Sequence, residues 1–345
     1  MLYFLHRRAG IAQTLCLVVA GSVLAAACTP APEAPASPTA AEPVAEPKVD
    51  VREVSVAATV AFTEGPTVAE DGTVFFTDLD TNRIVRMSTD GVVSTFRQPS
   101  NAANGLIFDR EWRLLACEGG DGETALPRVT RTNMETGEVE VLVDHYEGKE
   151  LHRPNDLTFD GQGRIYFTDR PEPNWRPEQT GVHGVYRVDL DGSVTRILTE
   201  PEVIRPNGIV ISPDDTTLYL LETEQSADGP RLIRAYDLAA DGTVSNMRVF
   251  HDFHPGRSGD GMTIDSAGNL YVAAGLNRRR GTSETLDTVA GVHIFSPDGV
   301  LLEHIPIPED TITNAAFGGP DLRTLYVTAG KTLFSFRTDV VGTRR

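Results

Sequence analysis

Asn104-Gly105-Leu106, Asn155-Asp156-Leu157, Asn207-Gly208-Ile209 and Asp260-Gly261-Met262 set the frame for the rest of the chain. Glu64-Gly65-Pro66 precedes them and Asn314-Ala315-Ala316 follows. Each puts an oxygen-bearing side chain just before a strand-like apolar run. From Gly65 to Gly105, Asp156, Gly208, Gly261 and Ala315 the steps are 40, 51, 52, 53 and 54 residues. That is an internal repeat.

The units share more than their first residues. Val74-Phe75-Phe76-Thr77, Leu114-Leu115-Ala116, Ile165-Tyr166-Phe167-Thr168, Leu218-Tyr219-Leu220, Leu270-Tyr271-Val272 and Leu325-Tyr326-Val327-Thr328 read as buried strands. Asp71-Gly72, Asp90-Gly91, Asp191-Gly192, Asp241-Gly242 and Asp298-Gly299 are tight-turn pairs, because both residues tolerate positive φ. Thr77, Cys117, Thr168 and Ala273 each lie 12 residues after the anchor Gly65, Gly105, Asp156 or Gly261. A second hairpin follows, as in 184–188 with 194–197. Four strands per unit, with a period of this size, predict an all-β fold, a six-bladed β-propeller over 51–340. The early strand Val51 to Ala57 is expected to complete the last blade.

In such a fold the residues opening each inner strand meet at one mouth of the channel. Glu64, Asn104, Asn155, Asn207, Asp260 and Asn314 are therefore expected to form a ring of oxygens. Asp78, Glu118, Asp169 and Glu222, at the ends of the adjacent strands, return to the same rim. Mixed carboxylate and amide oxygens suit a hard cation; calcium takes about six to eight oxygen ligands. Glu64 and Asp260 supply the charge, and Asn155 and Asn207 the neutral oxygens, of a central metal site. No His- or Cys-rich spacing points to a zinc finger, although zinc or manganese also binds oxygen sites. Asn-Gly and Asp-Gly are ordinary turn formers too. What sets these apart is their matched positions, and Glu64, which has no turn preference.

The formal charge of -18 excludes a nucleic-acid partner that would need a basic face. Residues 1–27, with Arg7-Arg8 and then an apolar run ending in small residues, read as a signal peptide. Leu24-Ala25-Ala26-Ala27-Cys28 resembles a bacterial lipobox, which makes Cys28 the lipidation site and tethers the protein to the cell envelope, periplasmic or outer membrane. Residues 28–50, rich in Pro and Ala, read as a disordered spacer. Cys117 reads as a buried small hydrophobe.

The Glu-Gly-Pro, Arg-Pro-Asn-Asp, Pro-Asn-Gly and Asp-Gly-Met stretches, with 146–169 and 313–321, resemble the gluconolactonase / senescence-marker-protein-30 family over about residues 55–335. The resemblance implies a six-bladed propeller with one divalent cation in the channel. It implies Glu64, Asn207 and Asp260 as metal ligands and Asn155 as a ligand or substrate contact. It matches Arg153 to a substrate-binding arginine and Asp260 to the proton donor and acceptor. Asp169 and Glu172 both fall near the family's substrate-contacting acid. The function expected is metal-dependent hydrolysis of a small-molecule lactone of the sugar type. The metal polarises the carbonyl and Asp260 is the general acid/base.

The competing readings are a propeller esterase or phosphotriesterase-type hydrolase using the same metal, and a non-enzymatic ligand-binding propeller. No nucleophile-elbow motif supports Ser-His-Asp catalysis. His152, His251 and His254 read as structural. Arg278-Arg279-Arg280 reads as an exposed loop cluster at the pocket rim, and the loop from Arg170 to Gly181, with Trp175, as a cover for the mouth.

Overall fold

Strong β runs with no helical stripe fold as their pattern dictates. The structure, a computed structural model, describes residues 48–49, 53–122, 124–171 and 176–344. Among these residues there are six blades and no helix. Blade one runs outward from Thr63–Val68 through Val74–Asp78 and Arg83–Met87 to Val93–Arg97. The other inner strands are Ala103–Phe108, Pro154–Phe159, Pro206–Ile211, Gly259–Ile264 and Ile312–Gly318, for blades two to six. Consecutive inner strands lie side by side, and the sixth lies against the first. Ser55–Thr59 is the outermost strand of blade six, paired antiparallel with Thr332–Arg337. The early segment therefore closes the ring, as expected.

The second strands of the blades are buried on both faces, which is why they read as continuous apolar runs rather than alternating ones, whereas outermost strands such as Val93–Arg97 and Val244–Asp252 are largely exposed. In blade one Phe75 packs towards blade two with Leu106 and Phe108, while Phe76 packs towards blade six with Leu333 and Ala58. Four further clusters fill the remaining blade interfaces. Each fully buried large side chain contributes roughly 1.5–3 kcal/mol. Cys117 is buried in one of these clusters, as its sequence setting predicts.

Every inner strand carries a β-bulge at the repeated stretch. Ala103 pairs with Glu118 and Leu106 with Ala116, so Asn104 and Gly105 together oppose Cys117. Asn155 and Asp156 oppose Thr168, and Asp260 and Gly261 oppose Ala273. The constant 12-residue step is thus the distance from bulge to opposing residue. In blade six the register differs from the expected one. Ile312 pairs with Ala329 and Ala315 with Val327, so the bulge holds Thr313 and Asn314. Asn314 occupies the second bulge position, and Thr313 the first.

Residues 1–27 and Cys28 lie outside the described residues. Of the expected spacer, Lys48–Val49 forms a short strand, parallel to Leu301–Pro306 at the outer edge of blade five.

Candidate active site

A bulge re-aims side chains and bends the strand that carries it. Here it turns the first bulge residues of five blades towards the upper mouth, where the inner strands begin. Glu64, Asn104, Asn155 and Asn207 are buried there, and Asp260 is partly open, with its side chain 17% exposed. Asp260 Oδ1 accepts a hydrogen bond from Asn207 Nδ2 at 2.5 Å, and Oδ2 accepts one from Arg257 Nη2 at 2.5 Å. Arg257 is itself buried and donates through Nη1 to the Ile312 carbonyl at 3.0 Å. Sequence reading missed Arg257, because nothing in Arg257-Ser258-Gly259 repeats elsewhere. Burial, and then the charge of Asp260, hold the Glu64 carboxyl well above the usual carboxylate range.

The second bulge positions are glycine in four blades because neighbouring inner strands nearly touch. A Cβ on Gly65 would lie 2.1 Å from the Asn104 carbonyl oxygen, and one on Gly208 2.7 Å from that of Asp260. Blades three and six instead carry Asp156 and Asn314. Asp156 Oδ1 accepts from the Leu157 amide at 3.0 Å, and its carboxylate also takes the Ile209 amide of blade four. Asn314 Nδ2 donates to Asp156 Oδ2 at 3.4 Å. Burial pushes Asp156 up to about 7 against these hydrogen bonds, and Asp260 adds to the rise. Asp156 stands where four other blades carry glycine, and that departure is its signal in the sequence.

The acids ending the second strands are placed differently from the expected rim. Asp78, Glu118, Asp169 and Glu222 are all fully buried. Asp169, expected to touch substrate, directs its oxygens at backbone. It accepts the His152 amide at 3.0 Å and the Arg153 amide at 2.6 Å. Glu222 does the same for Ile204 and Arg205. These carboxylates hold the segments that lead into the inner strands. The Arg153 side chain lies over Gly119, where a Cβ would come within 2.9 Å of its Cγ. Glu172 and Trp175 lie outside the described residues.

The histidines are structural. His152 Nε2 accepts from the Gly181 amide at 2.6 Å, and burial holds its ring down at about 4. His251 packs on Phe253 and Phe295, and the exposed His254 lies against the Ala227 carbonyl.

A cavity of 760 Å³ opens on the opposite face. Leu106, Leu157, Ile209 and Met262 line it, with Asp156 and Asn314 at its inner end. It contains none of the first bulge residues, so this cavity is not the site of the converging acids.

Among the described residues no three of His, Cys, Asp and Glu gather closely enough to hold a metal by themselves. A cation at the upper mouth would have to take amide oxygens from Asn155 and Asn207 beside the Glu64 and Asp260 carboxylates. That donor set fits a hard, oxygen-seeking ion. It would also relieve the repulsion that raises Glu64.

Known proteins share this architecture. A gluconolactonase from Zymomonas mobilis is 28% identical over 314 residues, covering 83% of this chain and 81% of its own. A 6-deoxy-6-sulfogluconolactonase from Pseudomonas putida is 27% identical over 261 residues, 75% of this chain and 79% of its own. The solved structure of a Xanthomonas campestris gluconolactonase superposes with a TM-score of 0.68 at 31% identity, covering 82% of this chain and 89% of that one. Residues 62–331 match the SMP-30/Gluconolactonase/LRE-like region, and the chain belongs to that family.

Proposed function

We propose that this chain hydrolyses a sugar-type lactone at the upper mouth, with Asp260 as general acid and base. Glu64, Asn155, Asn207 and Asp260 would hold a divalent cation, calcium by preference for oxygen donors. The observation that carries this reading is the convergence of Glu64 and Asp260, from blades one and five, within a family that includes gluconolactonases.

The roles follow from the contacts. Asp260 takes a proton from water as the water oxygen bonds to the lactone carbonyl carbon. It returns that proton to the ring oxygen as the carbon–oxygen bond breaks. Arg257 keeps the Asp260 carboxylate turned towards the mouth. Arg153, held through its backbone by Asp169, orients hydroxyl groups of the substrate. A bound cation would supply Lewis-acid polarisation of the carbonyl. Burial of Glu64 keeps this charge chemistry away from bulk water.

Asp260→Asn should lower lactone hydrolysis by about 10²–10⁴-fold while the circular dichroism stays native. Wild-type activity in that variant would defeat the proposal. Hydrolysis of phosphotriesters but not lactones, in a substrate panel, would favour the esterase reading.

We also assign the chain to the bacterial envelope through a lipid on Cys28, from the lipobox-like sequence before it. Fatty-acid labelling that persists in Cys28→Ser would rule this out.

A further inference from the structure

The residues between Leu270–Ala274 and Gly291–Phe295 of blade five form a long loop on the upper face. It carries Arg278, Arg279 and Arg280. Arg278 is tied to Asp310, with Nε donating to Oδ2 at 3.0 Å. Arg280 has a different partner. Its Nη2 donates to Thr311 Oγ1 at 2.5 Å, and Thr311 immediately precedes the inner strand of blade six. That contact fixes the guanidinium at the edge of the mouth.

A second guanidinium is already there. Arg257 is spent on Asp260 Oδ2 and the Ile312 carbonyl, the latter next in sequence to Thr311. Partial burial, and then the charge of Arg257, pull Arg280 below the usual arginine range, while Glu284, Asp260 and Asp310 act the other way. Thr311 and Ile312 are consecutive residues, so the two guanidiniums that bond to them converge on one side of the channel. Arg257 hydrogen-bonds a carboxylate, that of Asp260, whereas Arg280 hydrogen-bonds the neutral hydroxyl of Thr311. An anion arriving with the substrate would meet the charge of Arg280. In a chain of net charge -18 the overall field repels anions, so a local cationic edge is needed to admit one. Guanidinium forks also match the oxygens of phosphate, sulfonate or carboxylate in two-point geometry.

We propose that this edge is an anion subsite. The substrate is a lactone that carries an acidic oxyanion away from its ester, and Arg280 determines that specificity. The inference rests on the lactonase reading for what surrounds the anion, not for the anion's recognition.

Calorimetric titration of the full chain with 6-phosphogluconate and with gluconate tests it without any turnover. Initial rates on the two corresponding lactones form the second arm. The wild-type chain is expected to favour the phosphorylated ligand by about tenfold or more, as an added charge-assisted hydrogen bond implies. Arg280→Gln should remove most of that ratio. Arg279→Gln, on the same loop, should keep it. Equal binding of the two ligands by the wild-type chain, or a ratio unmoved in Arg280→Gln, overturns the subsite. Preferential binding without hydrolysis of either lactone would sink the lactonase reading and leave the subsite standing. Hydrolysis with no preference for the charged lactone would do the reverse.

Discussion

Asn314 Nδ2 donates to Asp156 Oδ2 at 3.4 Å, joining blade three to blade six across the channel. These are the two blades whose second bulge residue is not glycine. Asp156 fills the space in front of Gly105, where a Cβ would stand 2.6 Å from its Oδ1. Asn314 fills the space in front of Gly261, where a Cβ would stand 2.1 Å from its Cγ. Two side chains thus occupy room left by glycines on neighbouring strands, beneath the acids of the upper mouth.

Asp156 makes the metal-free chain sensitive to pH. Its folded carboxyl titrates at about 7, above the ordinary Asp value of 3.8. The folded state therefore holds the proton more tightly than the unfolded state. The stabilisation is complete below about pH 4 and is lost as pH rises towards 7, with Glu64 shifted in the same direction. Urea midpoints of chelated protein should fall over that window, and Asp156→Asn should flatten the fall. A midpoint that climbs across the same window in the wild-type chain would contradict the assignment.

Gly261→Ala should destabilise the propeller by about 1–3 kcal/mol, since the new methyl meets Asn314. Because the obstacle is that side chain, Asn314→Gly should recover part of the loss in the double variant. Purely additive effects in thermal or urea unfolding would show that the two positions do not share space.

Asp169→Ala strands the buried amides of His152 and Arg153, at a cost on the order of 1–3 kcal/mol each. It also frees the backbone beneath Arg153. Steady-state kinetics should show KM rising by about tenfold with a smaller change in kcat, since Arg153 orients substrate rather than moving protons. An effect confined to kcat would return Asp169 to the reacting centre.

Chelation should lower the melting temperature, and calcium should restore it. Ligand at a hundredfold its Kd adds about 2.7 kcal/mol of stability. Glu64→Gln should weaken this calcium effect by removing a carboxylate. An unfolding curve indifferent to both chelator and calcium would argue against a cation at the ring.

Most of the fold was legible. Val74-Phe75-Phe76 announces a strand buried on both faces, and the fixed step from Gly105 to Cys117 announces a repeated hairpin. The first bulge residues were legible as well, because one strand geometry demands the same placement in each blade. Blade six misled by one residue. Asn314 looks like the first of a pair, yet the pairing of Ile312 with Ala329 makes it the second. A bulge shifts phase without changing residue type, so the shift cannot be read from composition. Asp169 misled for another reason. A strand-end acid can turn outward to the mouth or inward to backbone amides, and only the path of residues 152–153 decides between them.

The repeat, the strands and the oxygen-bearing residue at the head of each inner strand can be read along the chain. These are local properties, set by side-chain periodicity and turn chemistry along the chain. Which groups meet is set by the folded ring. Asp156 and Asn314 are 158 residues apart, and Arg280 reaches Thr311 from a loop of another blade. Contacts of that kind depend on ring closure and on where each bulge turns the chain, so no stretch of sequence carries them alone.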